Sequence, residues 1–104
     1  MEIQTNENIN RLLDLYKNLL TTYQQEIMEL YFEEDWSLKE IAEQYDISRN
    51  AVLSTIKRVS KTLQEYEDRL KLIEKLDNIN KLISESSLSE EEKKTLINKI
   101  DSII

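Results

Sequence analysis

Apolar residues recur along this chain at helical spacing. Ile9, Leu12, Leu13, Leu15, Tyr16, Leu19 and Leu20 form one broad helical face. Thr21 then sits three residues before Gln24, the spacing of a capping box, so a second helix opens there. It buries Ile27, Met28, Leu30, Tyr31 and Phe32. Glu26, Glu29, Glu33, Glu34 and Asp35 accumulate toward its end, where carboxylates oppose the helix dipole, so the helix should stop near Glu33. Ser37 with Glu40 forms a further capping box and opens a short helix to about Gln44. Ser48 caps a longer helix. The link between them is Tyr45-Asp46-Ile47, and Asp46 takes the left-handed position that Gly would usually fill. Residues 37–58 therefore predict a helix-turn-helix.

The next helix is long. Val52, Ile56, Val59, Leu63, Tyr66, Leu70 and Ile73 alternate spacings of four and three, a heptad-type seam that predicts continuation to about Leu76 or into Leu82-Ile83. Two readings of the seam stand: it packs on the first helix of the same chain, or part of it pairs with a second subunit through Leu63, Tyr66, Leu70 and Ile73. From Ile83 to Ser89 the pattern breaks into a loop. Ser89 and Glu92 form a third capping box, and Leu96, Ile97, Ile100, Ile103 and Ile104 give a short amphipathic helix. The expected organisation is a helix-turn-helix domain with its long helix over 1–83, and a loop and C-terminal helix of the same domain over 84–104.

At 104 residues, one domain is expected. The chain has no Gly and no Pro, and it lacks the alternating runs of strands, so the fold class is all-α. With no Cys there are neither disulfides nor thiolate metal sites, and with no His the usual neutral-pH base and commonest metal ligand are missing. The expectation is a binding protein without enzymatic activity, cofactor or metal. No apolar run is long enough for a membrane span and the N-terminus lacks signal-peptide character, so a cytoplasmic location is expected.

The net charge of −7 should repel nucleic acid, but it is unevenly distributed. Residues 1–36 hold eight acids and two bases; residues 37–61 hold five bases and three acids. Ser48 to Lys61 contains four bases and no acid. With Val52 and Ile56 inward, Arg49, Asn50, Leu53, Ser54 and Lys57 turn largely outward. Arg49 and Asn50 occupy the first turn, where this motif reaches base edges, and Arg suits guanine as Asn suits adenine. Lys57, Arg58 and Lys61 suit phosphates or an acidic protein surface. A solvated basic helix face is the bland alternative. Four bases make a shallow electrostatic footprint, which points to weak or partner-assisted binding.

The runs Leu12-Leu13-Asp14-Leu15-Tyr16, Leu30-Tyr31-Phe32-Glu33-Glu34-Asp35-Trp36-Ser37-Leu38 and Ile47-Ser48-Arg49-Asn50-Ala51-Val52 resemble the YlxM (UPF0122) family over residues 9–83. These are small helix-turn-helix proteins similar to region 4 of sigma factors, encoded beside the signal recognition particle GTPase. The resemblance implies a sigma-factor region 4-like helix-turn-helix with a long following helix and a short C-terminal helix. It further implies a regulatory DNA-binding protein tied to the signal recognition particle pathway. The implied partners are DNA or the particle's RNA, and the targeting GTPase as an acidic docking partner for the basic helix; a homodimer through the long helix is the expectation that the seam, not the resemblance, raises. The chain departs from the family pattern at Lys39, where Gly is usual, and at Leu53, where Tyr is usual. The resemblance does not extend past Ser84.

Overall fold

The structure, a computed structural model, describes residues 6–103. All regular structure among the described residues is helical: α1 (Asn6–Tyr16) followed by one 3₁₀ turn (Lys17–Leu19), α2 (Thr22–Phe32), α3 (Leu38–Tyr45), α4 (Arg49–Leu70), α5 (Leu72–Ser84) and α6 (Glu90–Ile103). The all-α expectation holds. Ile104, expected in the last helix, lies outside the described residues.

The three capping boxes set three helix starts. At α2 the Gln24 N–H donates to Thr21 Oγ1 at 3.2 Å, and the Thr21 N–H donates to Gln24 Oε1 at 3.0 Å. Ser37 and Glu40 repeat this at α3, both bonds at 3.1 Å. Ser89 and Glu92 repeat it at α6, at 3.2 and 3.1 Å. There the bonds to Ser89 hold the Glu92 carboxyl below its ordinary range. Each box satisfies two amides that the first helical turn would leave orphaned.

The chain forms two compact units, Met1–Leu70 and Lys71–Ile104. In the first, α4 packs on α1, α2 and α3. Its core holds Ile9, Leu12, Leu13 and Tyr16 from α1, Ile27, Met28 and Phe32 from α2, Ile41 and Ala42 from α3, and Val52, Ile56, Val59 and Leu63 from α4, with Leu20 closing the gap after the 3₁₀ turn. Leu38 and Ile47 are half-buried beside it. Tyr16 is 1 % exposed, and its hydroxyl donates to Glu67 Oε1 at 2.6 Å, tying the end of α1 to the far part of α4.

One expectation about the long helix needs correction. It does not run to Leu76 or Leu82-Ile83. It stops at Leu70, and Lys71 takes a left-handed backbone at φ 56° before α5 begins. The seam itself shows why. Continued past Ile73 at alternating four and three, it reaches Asp77, Asn80 and Ser84, all polar. The next apolar row is Leu72, Leu76, Ile79 and Ile83, out of phase with the first. A straight helix cannot bury both rows against one surface, and the break at Lys71 resets the phase. The left-handed backbone costs a non-Gly residue about 1–2 kcal/mol, and the chain offers no Gly.

Of the two readings of the seam, packing within the chain accounts for its first part, and pairing through Leu63, Tyr66, Leu70 and Ile73 would have only two of its four residues to use. Leu63 is fully buried in its own unit, and Tyr66 packs against Tyr16 with ring centroids 6.0 Å apart and planes tilted by 44°. Only Leu70, at 45 % exposure, and Ile73, already on α5, lie outside that packing. As far as Tyr66, the seam is thus absorbed by the helices of the same chain.

Candidate nucleic-acid interface

α3 and α4 are the two helices of the motif, and their geometry follows from the residues between them. Asp46 ends α3 in the left-handed conformation, φ 53° and ψ 48°. Its N–H donates to the carbonyls of Ala42 and Glu43, and the Ile47 N–H donates to the Ala42 carbonyl at 3.0 Å. These bonds satisfy carbonyls left open at the end of α3 and turn the chain sharply. Ser48 then starts α4, accepting the Ala51 N–H on its Oγ at 3.0 Å. The turn is therefore fixed at both ends by local hydrogen bonds. Small Ala42 of α3 is buried, at 6 % exposure, and α3 packs on both α4 and α2.

α3 is also tied to α2. The Tyr45 hydroxyl donates to Glu26 Oε2 at 2.7 Å, and the Tyr23 and Tyr45 rings meet edge to face at 5.4 Å. Burial, then the hydrogen bond and the charge of Glu26, push the Tyr45 hydroxyl up to about 12 from 10.0. The sign follows directly. A folded-state value above the unfolded one means the fold favours the neutral phenol. That stabilisation is complete below pH 10 and is lost as the pH rises through about 12. In an ultraviolet phenolate titration, Tyr45→Phe should remove one phenolate equivalent near pH 12. A titration curve unchanged in Tyr45→Phe would show that another ring carries it.

One side of α4 is core and the other is the basic strip. At ~100° per residue, Val52, Thr55, Ile56, Val59, Ser60 and Leu63 occupy one arc and are all buried. Asn50, Ser54, Lys57, Arg58 and Lys61 fall on the opposite arc, with Leu53 at its rim; Arg49 has the angular position of the buried arc, contrary to its expected outward turn, and is exposed in the first turn. Arg49, Asn50, Ser54, Arg58 and Lys61 are exposed, whereas Leu53 and Lys57 are half-buried. Leu53 therefore faces outward only in part. The bases of the strip make no ion pair among the described residues. The first-turn amides of α4 add the positive end of a 22-residue helix beside Arg49 and Asn50. Acids gather elsewhere: Glu26, Glu29 and Glu34 line a shallow cleft with Leu30, Trp36 and Tyr45. That cleft has the wrong sign for phosphate.

Residues 3–103 match the family described as "Putative helix-turn-helix protein, YlxM / p13 like". The chain belongs to the UPF0122 family. Among its relatives, a UPF0122 protein of Bacillus velezensis is 40% identical over 102 residues, 93% of each chain. The UPF0122 protein YlxM of Bacillus subtilis is 38% identical over 109 residues, 99% of each. A UPF0122 protein of Lactococcus lactis subsp. cremoris is 40% identical, spanning 99% of this chain and 93% of its own. The UPF0122 match runs past Ser84 through both helices of the second unit, further than the motifs of residues 9–83 reached. No helix among the described residues is long and apolar enough to cross a membrane.

Two contacts that position the motif left no trace in the sequence pattern. Tyr45 and Glu26 lie 19 residues apart and Tyr16 and Glu67 lie 51 apart. Both pair an aromatic hydroxyl with a carboxylate, and spacing rules see only neighbours within a turn or two.

Proposed function

We propose that this chain is a regulatory nucleic-acid-binding protein of the cytoplasm that docks the outward face of α4 on a phosphate backbone. Its motif is read as sigma-factor region 4-like. The carrying observation is the acid-free stretch Arg49–Lys61 of the second motif helix, whose Lys57, Arg58 and Lys61 share the outward arc while Arg49 is exposed in the first turn. Arg49 and Asn50 lie where base edges are reached, and Leu53 and Ser54 continue the same face. Lys57, Arg58 and Lys61 supply phosphate contacts. Likeness to the YlxM family supports a role in the signal recognition particle pathway, with DNA or the particle's RNA as target.

Four bases set the expected strength. For duplex DNA the logarithm of affinity falls with the logarithm of salt at about −0.9 per neutralised phosphate, giving a slope of about −3 to −4 per chain. Titrating the full chain against duplex DNA and against the particle's RNA over a salt series tests this. A slope near zero on both would overturn the reading. The net charge of −7 favours a second reading, in which the strip docks on an acidic protein such as the targeting GTPase. Capture of that GTPase with and without nuclease separates the two: a complex that survives nuclease supports direct protein contact.

A further inference from the structure

We propose that the α5–α6 hairpin is a dimerisation element that packs face to face on the same hairpin of a second copy of this chain. No residue of α5 or α6 is buried, although both helices are amphipathic. Leu72, Leu76 and Ile83 of α5 and Ile97 and Ile100 of α6 are half-buried and form the seam between the two helices. The short turn over residues 85–89 makes the helices antiparallel, and the Lys93 ammonium donates to the Ser84 carbonyl at 2.8 Å across it.

A second apolar row lies beside that seam. At ~100° per residue, Ile79 and Leu82 are rotated to one side of the α5 seam, and Leu96 and Ile103 are rotated in the same sense from the α6 seam. In antiparallel helices, rotations of the same sense point to the same side of the pair. The four side chains therefore share one broad face, at 40, 70, 39 and 82 % exposure.

Size and charge select the occupant. A unit of about 34 residues falls below the roughly 40 residues at which a domain sustains its own core without oligomerisation, metal or disulfides. The chain has no cysteine to staple it. Residues 71–104 hold seven acids (Glu74, Asp77, Glu85, Glu90, Glu91, Glu92, Asp101) and six lysines (Lys71, Lys75, Lys81, Lys93, Lys94, Lys99), a balance of −1. A membrane-surface helix needs a basic polar face, and a nucleic-acid site needs net positive charge. A near-neutral unit meets an identical copy with little net repulsion. Two of its lysines are already paired within the hairpin, Lys71 with Glu74 at 3.7 Å and Lys93 with Glu90 at 3.5 Å. The face of two such helices measures roughly 20 by 20 Å, about 800 Å² over both copies, which lies below the range of stable specific interfaces and makes this a weak, transient one. The association is thus concentration-dependent and closes as a two-fold four-helix bundle. Where the basic strip binds nucleic acid, the dimer presents two strips; the dimerisation itself does not rest on that reading.

Sedimentation equilibrium on the full chain tests the proposal. The expected mass rises from 12.4 kDa toward twice that value between about 1 and about 100 µM, the range suited to a small interface. Leu82→Glu combined with Ile79→Glu should weaken dimerisation at least tenfold and leave helicity by circular dichroism unchanged. Leu70→Glu, at the exposed end of α4, should leave the mass distribution as it was. Monomer mass at every concentration would overturn the proposal. So would dimerisation lost in Leu70→Glu but kept in the hairpin variant. If the hairpin variant loses helicity, Leu82→Ser alone decides the matter: a mass distribution shifted toward monomer at unchanged helicity supports the proposal, and an unshifted one overturns it.

Discussion

Reversing Lys57 and Arg58 together (Lys57→Glu with Arg58→Glu) is expected to weaken nucleic-acid binding by about 100-fold at about 0.1 M salt. The magnitude follows from counterion release. Relative to 1 M salt, each neutralised phosphate contributes about 0.9 logarithmic units of affinity at about 0.1 M. Losing two contacts removes roughly 60-fold, and two new carboxylates facing phosphate carry the loss further. The salt slope should fall to about −2 in the same experiment. Arg58 is exposed and Lys57 half-buried, and neither makes an ion pair among the described residues, so the folded state should survive. The matched control is Lys17→Glu with Arg69→Glu. Both of those residues are exposed and lie outside the strip, and the control carries the same total charge. Equal losses in the two double variants would mean that only net charge matters and that α4 has no special face. No loss in either would remove the strip from binding altogether.

This result bears on how an acidic protein handles an anionic ligand. Over distances beyond about 8–10 Å at physiological salt, charges are largely screened, so the acids of α2 act weakly on a phosphate held against α4. The strip is judged by its own neighbourhood. Between Ser48 and Lys61 that neighbourhood contains no acid along the chain. The acidic remainder acts through long-range approach instead. It slows encounter at low salt, and it leaves few bases to hold a polyanion nonspecifically.

The motif was legible in the sequence because each part of it is local. Capping boxes span three residues, the turn spans Tyr45-Asp46-Ile47, and the buried and outward arcs of α4 follow from helical period. Thr21, Ser37 and Ser89 cap where their spacing to Gln24, Glu40 and Glu92 predicts. The end of α4 was not legible in the same way. The seam through Tyr66, Leu70 and Ile73 suggested continuation, and the competing row from Leu72 to Ile83 only tells once both are set against a surface to be buried. The same limit hid which partner the seam takes. Periodicity reports that Leu63 and Tyr66 want an apolar neighbour and is silent on whose. The structure gives them α1 and Tyr16 of the same chain. Leu53 stands between these cases: its place at the rim of the outward arc is local, but its half-burial depends on neighbours the pattern does not contain.

Tyr16 is where the largest loss of stability is expected. Tyr16→Ala should cost about 3–5 kcal/mol, since it empties a fully buried aromatic site beside α4. Tyr16→Phe keeps the ring and should cost about 1–2 kcal/mol, the contribution of a hydrogen bond to a carboxylate that is only part-buried. Against a total stability of about 5–15 kcal/mol, the alanine variant loses a large share, and its thermal midpoint should fall by about 15 °C or more. Glu67→Gln separates the components further: it keeps an acceptor within reach of the hydroxyl and should resemble Tyr16→Phe or be milder. Denaturant melts of the three variants check the order. If Tyr16→Phe were as damaging as Tyr16→Ala, the hydroxyl and not the ring would hold α1 to α4. The consequence for binding is specific. Glu67 lies nearly three turns beyond Lys57 on α4, so the folded fraction of Tyr16→Phe should bind nucleic acid with wild-type salt slope. A changed slope would mean that the α1–α4 tie sets the orientation of the basic strip as well as the strength of the core.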